Sequence, residues 1–272
     1  MDCIDVSDFN SVFDTNYDPK ELDAIKQQNF TDAHVSFNGF ETGYWKLPCT
    51  IPLLPDYSSL NNVRVIPCVR KPSTTLATTT KYHFVTPHEE FFEMTREGEY
   101  RLSNINLKYV RSVEFPVLET FTQSTIFKPC DSLYPATIQI VYDDEKQKDI
   151  GKITLKDDDV YFDIVSPNIT LLGRDERQFW EISYKSSNGR MYARLNFEGG
   201  IILFKDMAVM PSTKEVWKKL YIDITEIVRQ ASYTALKISV SLEISGIRDD
   251  PDSVTEFYFE NIKLITMDAP YD

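Results

Sequence analysis

Histidine is scarce in this sequence: three in 272 residues, and all of them, His34, His83 and His88, lie in the amino-terminal half. None sits in a G-x-S-x-G, H-E-x-x-H, P-loop or dinucleotide glycine pattern, so the enzyme classes that carry those signatures are set aside. The one tempting stretch, "TPHEEFFEM", puts two carboxylates beside His88, but neighbours along an extended segment point to opposite faces and do not converge on an ion. Basic residues are outnumbered as well, 29 Lys and Arg against 42 Asp and Glu, for a net charge of -13. Nucleic-acid binding draws its affinity from clustered cations, which excludes that class of partner. No apolar run approaches the roughly 18 residues of a membrane helix, so any membrane attachment needs a tether. There are four cysteines, and no Cys or His pair has zinc-ligand spacing.

Aromatic residues are abundant, with 17 Phe and 15 Tyr, and together with the β-branched residues they favour sheet. Alternating runs such as "AHVSF", "NVRVIPCVR", "KYHFVTP" and "EYRLSNINLKYV" predict a small immunoglobulin-like or fibronectin-like sandwich over residues 33–111. From residue 112 to 272 nine further runs, among them "QFWEISYKSS", "GRMYARLNFEG", "WKKLYIDITEIV", "ALKISVSLEISGI" and "EFYFENIKLIT", predict a two-sheet jelly roll. The expected fold class is all-β, with helical potential near Thr225 to Ala231. Residues 1–32 lack alternation and read as a tether with one turn of helix near "DPKELDAIKQQ".

In "KLPCTIPLLPDYSSLNNVRVIPCVRKP", residues 46 to 72, Cys49 and Cys68 each follow a proline. A hairpin that sets one opposite the other has its midpoint in the polar "DYSSLNN" loop and puts its prolines in one parity class. The α-carbons would then lie within disulfide range, and a bridge there would stabilise by ~3 kcal/mol. The alternative is two buried free thiols on the face of Leu47, Ile51 and Leu53.

The segment "GYWKLPCTIPLLPDYSSLNNVRVIPCVRK" resembles one common in Bacteroidetes outer-membrane lipoproteins of unknown function. "VWKKLYIDITEIV", "LKISVSLEI" and "EFYFENIKLI" resemble the closing strands of carbohydrate-binding-module-like, galactose-binding-like jelly rolls. Cys3, followed by Asp5, Ser7 and Asp8, resembles the lipidated cysteine and acidic patch of surface-exported lipoproteins, the alternative being a stray thiol. "DSL" at 131–133 and "DSV" at 252–254 resemble the O-glycosylation acceptor of exported Bacteroidetes proteins. The resemblance implies lipid anchoring to the outer membrane at the cell surface, with glycan or an outer-membrane protein complex as partner. It also implies a possible structural calcium, by position between Glu119 and Glu260, although Thr122 stands where a second acid is usual. The acidic groups at 156–163 and 248–253 lack calcium-loop spacing and read as solvated turns.

Sugar-binding sheets stack the apolar face of a ring on aromatics and bond its hydroxyls with polar side chains. Candidates for that role are Trp180, Tyr184, Tyr192 and Arg194, on consecutive strand-like runs, although Trp180 shares its face with Ile182 as a core residue would. Trp217 reads as a core anchor. The expected function is therefore non-catalytic glycan binding by a cell-envelope lipoprotein. The alternatives are an accessory subunit of an outer-membrane complex and a glycoside hydrolase, whose paired carboxylates need no local motif; Asp157, Asp163, Glu181 and Glu243 all lie in strand-like runs.

Overall fold

The computed structural model describes residues 4–72, 78–94, 98–102, 105–130, 136–171, 176–198, 204–232, 238–250 and 252–268. The protein is all-β in class, and it divides into two compact units, one running to Val113 and the other from Glu114 onward.

In the first unit two short helices, α1 (Phe9–Phe13) and α2 (Pro19–Lys26), precede five strands. These are β1 (Asp32–Phe37), β2 (Phe40–Lys46), β3 (Asn61–Lys71), β4 (Thr78–Lys81) and β5 (His88–Phe92). They form one antiparallel sheet in the order β2-β1-β3-β4, with β5 also on β3. Ala33, Val35, Phe37, Val63, Val65 and Phe92 make its core, and Leu47, Ile51 and Leu53 pack against them. Where the second sheet of an immunoglobulin-like sandwich was expected, the described residues supply helices and extended segments.

The expected tether is folded from Ile4 onward. Ile4 bridges to Leu107, and Phe9, Ala24, Ile25 and Phe30 are buried. The local cause is explicit in α2: Pro19 opens the helix, the Asp18 carboxylate accepts from the amides of Lys20 and Glu21, and Glu21 accepts from the amide of Asp18. Tyr109 then donates to the Ile25 carbonyl at 2.7 Å, fixing the carboxyl end of the helix. Residues 1–3, and with them Cys3, lie outside the described residues.

The hairpin expected to join Cys49 to Cys68 does not form. Both strands beside Cys68 are taken, by Asp32 of β1 and Lys81 of β4, and Cys49 lies in an extended segment that joins no sheet. Both cysteines are free thiols, Cys49 exposed and Cys68 fully buried. Burial pushes the Cys68 thiol up to about 12, far from a reactive thiolate. One residue before the buried Cys68 amide, the same strand junction carries a polar tie: Arg70 donates twice to Asp32, at 2.9 and 3.0 Å.

The second unit opens with β6 (Val113–Glu119), β7 (Lys128–Pro129), β8 (Gln139–Asp143), β9 (Lys148–Leu155), β10 (Tyr161–Val165), β11 (Ile169–Leu171), β12 (Glu176–Ser186) and β13 (Gly189–Glu198). It continues with β14 (Phe204–Met210), β15 (Lys218–Asp223), helix α3 (Thr225–Ser232), β16 (Ile238–Arg248) and β17 (Thr255–Asp268). Two antiparallel six-stranded sheets result. One runs β14-β13-β16-β10-β7 with β11 on β16; the other runs β15-β12-β17-β9-β8 with β6 on β17. Strict alternation sends Met191, Ala193, Leu195 and Phe197 from β13, and Val240, Leu242 and Ile244 from β16, into a core shared with Trp180, Ile182, Ile262 and Leu264. Gly246 belongs to this inner row because a Cβ there would meet the Phe162 ring at 2.1 Å.

The other face of the β12 sheet holds buried charge. Glu181 Oε2 lies 3.2 Å from both Lys219 and Lys263, and Lys263 is fully buried. Desolvation, only partly offset by Glu181, lowers the Lys263 ammonium to about 7.

Candidate functional site

The inward alternation of β13 and β16 forces their other residues out, and so the outer face of the β13 sheet carries an ordered set of side chains. Register sets them in rows across the strands. Tyr192 lies between Val209 of β14 and Ser245 of β16, with Asp163 of β10 beyond. One step along, Arg190, Ile247 and Tyr161 form the neighbouring row. On the opposite side Arg194 lies between Asp206 and Glu243, followed by Val165 and Lys128. Asn196 and Ser241 make the last row.

Val209 (52% exposed), Tyr192 (38%) and Ile247 (38%) thus run diagonally towards Tyr161 as an open apolar strip over four strands. Beside it runs a polar row held by specific bonds. Arg194 Nε donates to Asp206 Oδ1 at 2.8 Å, Arg194 Nη1 to Glu243 Oε1 at 3.3 Å, and Asn196 Nδ2 to Glu243 Oε2 at 2.8 Å. A β-bulge makes the first of these bonds possible. The register shifts between Ala193 and Arg194, which skips Met207 and brings Asp206 opposite Arg194. Bonding to Asp206 raises the Arg194 guanidinium above its usual value, so its charge is permanent.

A second convergence lies one strand over. The Cys130 amide donates to the Asp163 carbonyl at 2.9 Å, which seats the cysteine at the end of β7 beside β10. Cys130 Sγ and one carboxylate oxygen each from Asp163 and Glu243 lie within 4.8 Å of one another. Among the described residues this is the group of three or more His, Cys, Asp or Glu ligands that could hold a cation. Tyr161 stands next to it. Burial first, and then the charges of Asp163 and Glu243, raise its phenol above the ordinary value, and Ser245 hydrogen-bonds to it.

The four candidate sugar-binding residues therefore divide. Tyr192 and Arg194 meet on the outer face. Trp180 and Tyr184 do not: at 0% and 3% exposed they are core residues of the facing sheet, and burial pushes the Tyr184 phenol up to about 12. The physical reason is parity, because Trp180, Ile182 and Tyr184 share one side of β12 and that side is the sandwich interior. Trp217 is corrected in the other direction. It is half-buried outside the core, under the ammonium groups of Lys185 and Lys146, at 5.0 and 5.5 Å from its ring centre.

Glu119 and Glu260 do not act as a pair. Glu119 accepts from the amides of Phe121 and Ile126 and from Thr125, stapling the loop after β6. Glu260 faces Lys148 at 2.8 Å and Lys146 at 3.4 Å. These partners take up the oxygens a shared calcium would need. Of the two acceptor-like motifs, residues 131–133 lie outside the described residues, and Ser253 of the other donates to the Asp250 carbonyl in an exposed turn.

Sequence reading missed Tyr161, Asn196, Ser245 and Cys130, and it named Asp163 and Glu243 without placing them together. The signal was present in part: "RMYARLNFE" and "ISVSLEISG" alternate polar and apolar without a break, so one side of each strand is polar throughout.

No protein-family model and no curated protein matches the chain. Among solved structures, the chain is similar to a family 11 carbohydrate-binding module from Clostridium thermocellum, in complex with a mixed-linked tetrasaccharide, at 15% identity. That match covers 56% of this chain and 94% of the other, with a TM-score of 0.36. It is also similar to a module specific for non-crystalline cellulose, at 10% identity over 54% of this chain and 92% of the other, TM-score 0.36. A third likeness, to carbohydrate-binding modules of the β-sandwich superfamily, has 7% identity, spans 86% of this chain and 84% of the other, and has a TM-score of 0.37. Likenesses this distant say nothing of a shared ligand.

Proposed function

We propose that the chain binds glycan, without catalysis, on the outer face of the β13 sheet. The observation that carries this reading is the apolar strip of Val209, Tyr192, Ile247 and Tyr161 running beside the bonded polar row of Asp206, Arg194, Glu243 and Asn196. A sugar ring has an apolar face and a rim of hydroxyls. The strip receives the first, and the fixed donors and acceptors receive the second without reorganising. The reading includes a cell-envelope location, whose support is Cys3 with its trailing Asp5, Ser7 and Asp8 in the sequence.

The test is affinity electrophoresis of the full chain through gels containing a panel of soluble polysaccharides. Retardation by at least one, weakened in Tyr192→Ala and unaccompanied by release of reducing ends, is the expected result. Unretarded migration in every gel by a chain with native circular dichroism would sink the reading. A second reading, an accessory subunit that docks protein, draws support from the first unit. There Asp56 and Asn61 bond the 56–61 loop into a fixed turn, and Leu54, Tyr57 and Leu60 stand exposed about it.

A further inference from the structure

Resting on the glycan reading of this face, we propose that its preferred ligand is an amino sugar carrying a free, protonated amine, bound with the ammonium between Asp163 and Glu243. Charge is the first argument. Three carboxylates, Asp163, Glu243 and Asp206, crowd one part of the face, and the Arg194 guanidinium is divided between two of them. Arg190, at the far end of the strip, is already paired with Asp249 at 2.8 Å. Lys128 shares the Arg194 row but stands beyond Val165. A uronate or sulfate would meet repulsion at this point, and a neutral hydroxyl would satisfy the carboxylates with only ordinary hydrogen bonds.

Geometry is the second argument. Three atoms within 4.8 Å of one another leave a centre no more than about 2.8 Å from each, the length of a charge-assisted N–H···O bond. Zinc needs about 2.0–2.3 Å to such ligands and calcium about 2.3–2.6 Å, so a metal would require the side chains to close in. An ammonium seated just above that plane donates to both carboxylates as they stand, with the Cys130 thiol as a weak third acceptor. Position is the third argument. Asp163 lies in the same cross-strand row as Tyr192, so an amine on a ring stacked along the Tyr192 and Ile247 strip reaches the carboxylates.

Isothermal titration of the full chain with short oligomers of glucosamine, N-acetylglucosamine, glucose and galacturonate, at mildly acid pH and with chelator throughout, tests this. The deacetylated oligomer is expected to bind about tenfold or more tighter than its acetylated and neutral counterparts, as one charge-assisted hydrogen bond would give. The preference should vanish in Asp163→Asn, whose side chain is partly exposed and so tolerates the change, and in wild type once pH is raised enough to neutralise the amine. Tyr192→Ala should weaken the binding, whereas spermine, an equally cationic non-sugar, should bind far more weakly. Equal binding of spermine, or tighter binding of neutral or acidic oligomers, would overturn the amine assignment while leaving a glycan site. Binding to no sugar at all would remove the glycan reading and this inference together. A preference seen only without chelator would assign the carboxylates to a metal ion instead.

Discussion

At the scale of single residues, the two thiols make the sharpest contrast. Cys49 is exposed and Cys68 is sealed between β1 and β4 with its proton held to about 12. Iodoacetamide on the folded chain should alkylate Cys49 and spare Cys68 until denaturant is added, as read by mass spectrometry. A disulfide between them would protect both until reduction. Gly246 gives a second residue-scale prediction. Because a methyl group there would overlap the Phe162 ring, Gly246→Ala should destabilise by about 1–3 kcal/mol in thermal melts. An unchanged melting temperature would mean that the inner row has room.

At the scale of elements, alternation was legible and partnership was not. The strand-like runs of the second unit and the helix at Thr225 could be read because a period of two, or its loss, is a local property. The pairing of Cys68 with Asp32 in place of Cys49 could not, since an alternating strand satisfies its pattern beside any neighbour of matching parity. The same limit hid the meeting of Asp163 with Glu243, which comes from three strands distant in sequence, and the bulge that brings Asp206 to Arg194. Parity alone did distinguish Trp180 from Tyr192, provided the runs were assigned to the correct sides. The amino-terminal segment failed for another reason: its helices are too short for periodicity, and the capping box around Asp18 was the available sign. Replacing Asp18 with Ala should cost about 1 kcal/mol of the first unit's stability, measurable by hydrogen exchange in α2. Exchange as slow as in the parent chain would assign the cap no role.

At the scale of the whole molecule, the buried charges shape the response to pH. Asp32 has its carboxyl lowered by Arg70, so its contribution is present above the ordinary aspartate value and is lost as pH falls through the lowered one. Lys263 works on the alkaline side. Its folded value of about 7 lies below the unfolded one, so between these values the unfolded chain binds more protons and stability rises with pH. Denaturation midpoints should therefore climb from pH 7 towards pH 10, and Lys263→Met should flatten that climb. A parent chain whose midpoint is constant over the range would mean that Lys263 stays protonated beside Glu181.

The position of β17 has a consequence for how the protein is made. Of the strands described it is the last in the chain, yet it lies inside its sheet, bonded to β12 on one side and β9 on the other. On the ribosome, β9 and β12 emerge long before the strand that joins them, and each must wait with an open edge. The second unit therefore closes only after Thr255–Asp268 has left the exit tunnel, and its folding follows translation. A nascent chain stalled before Thr255 presents two unsatisfied edges to its neighbours, a target for chaperones and a seed for aggregation.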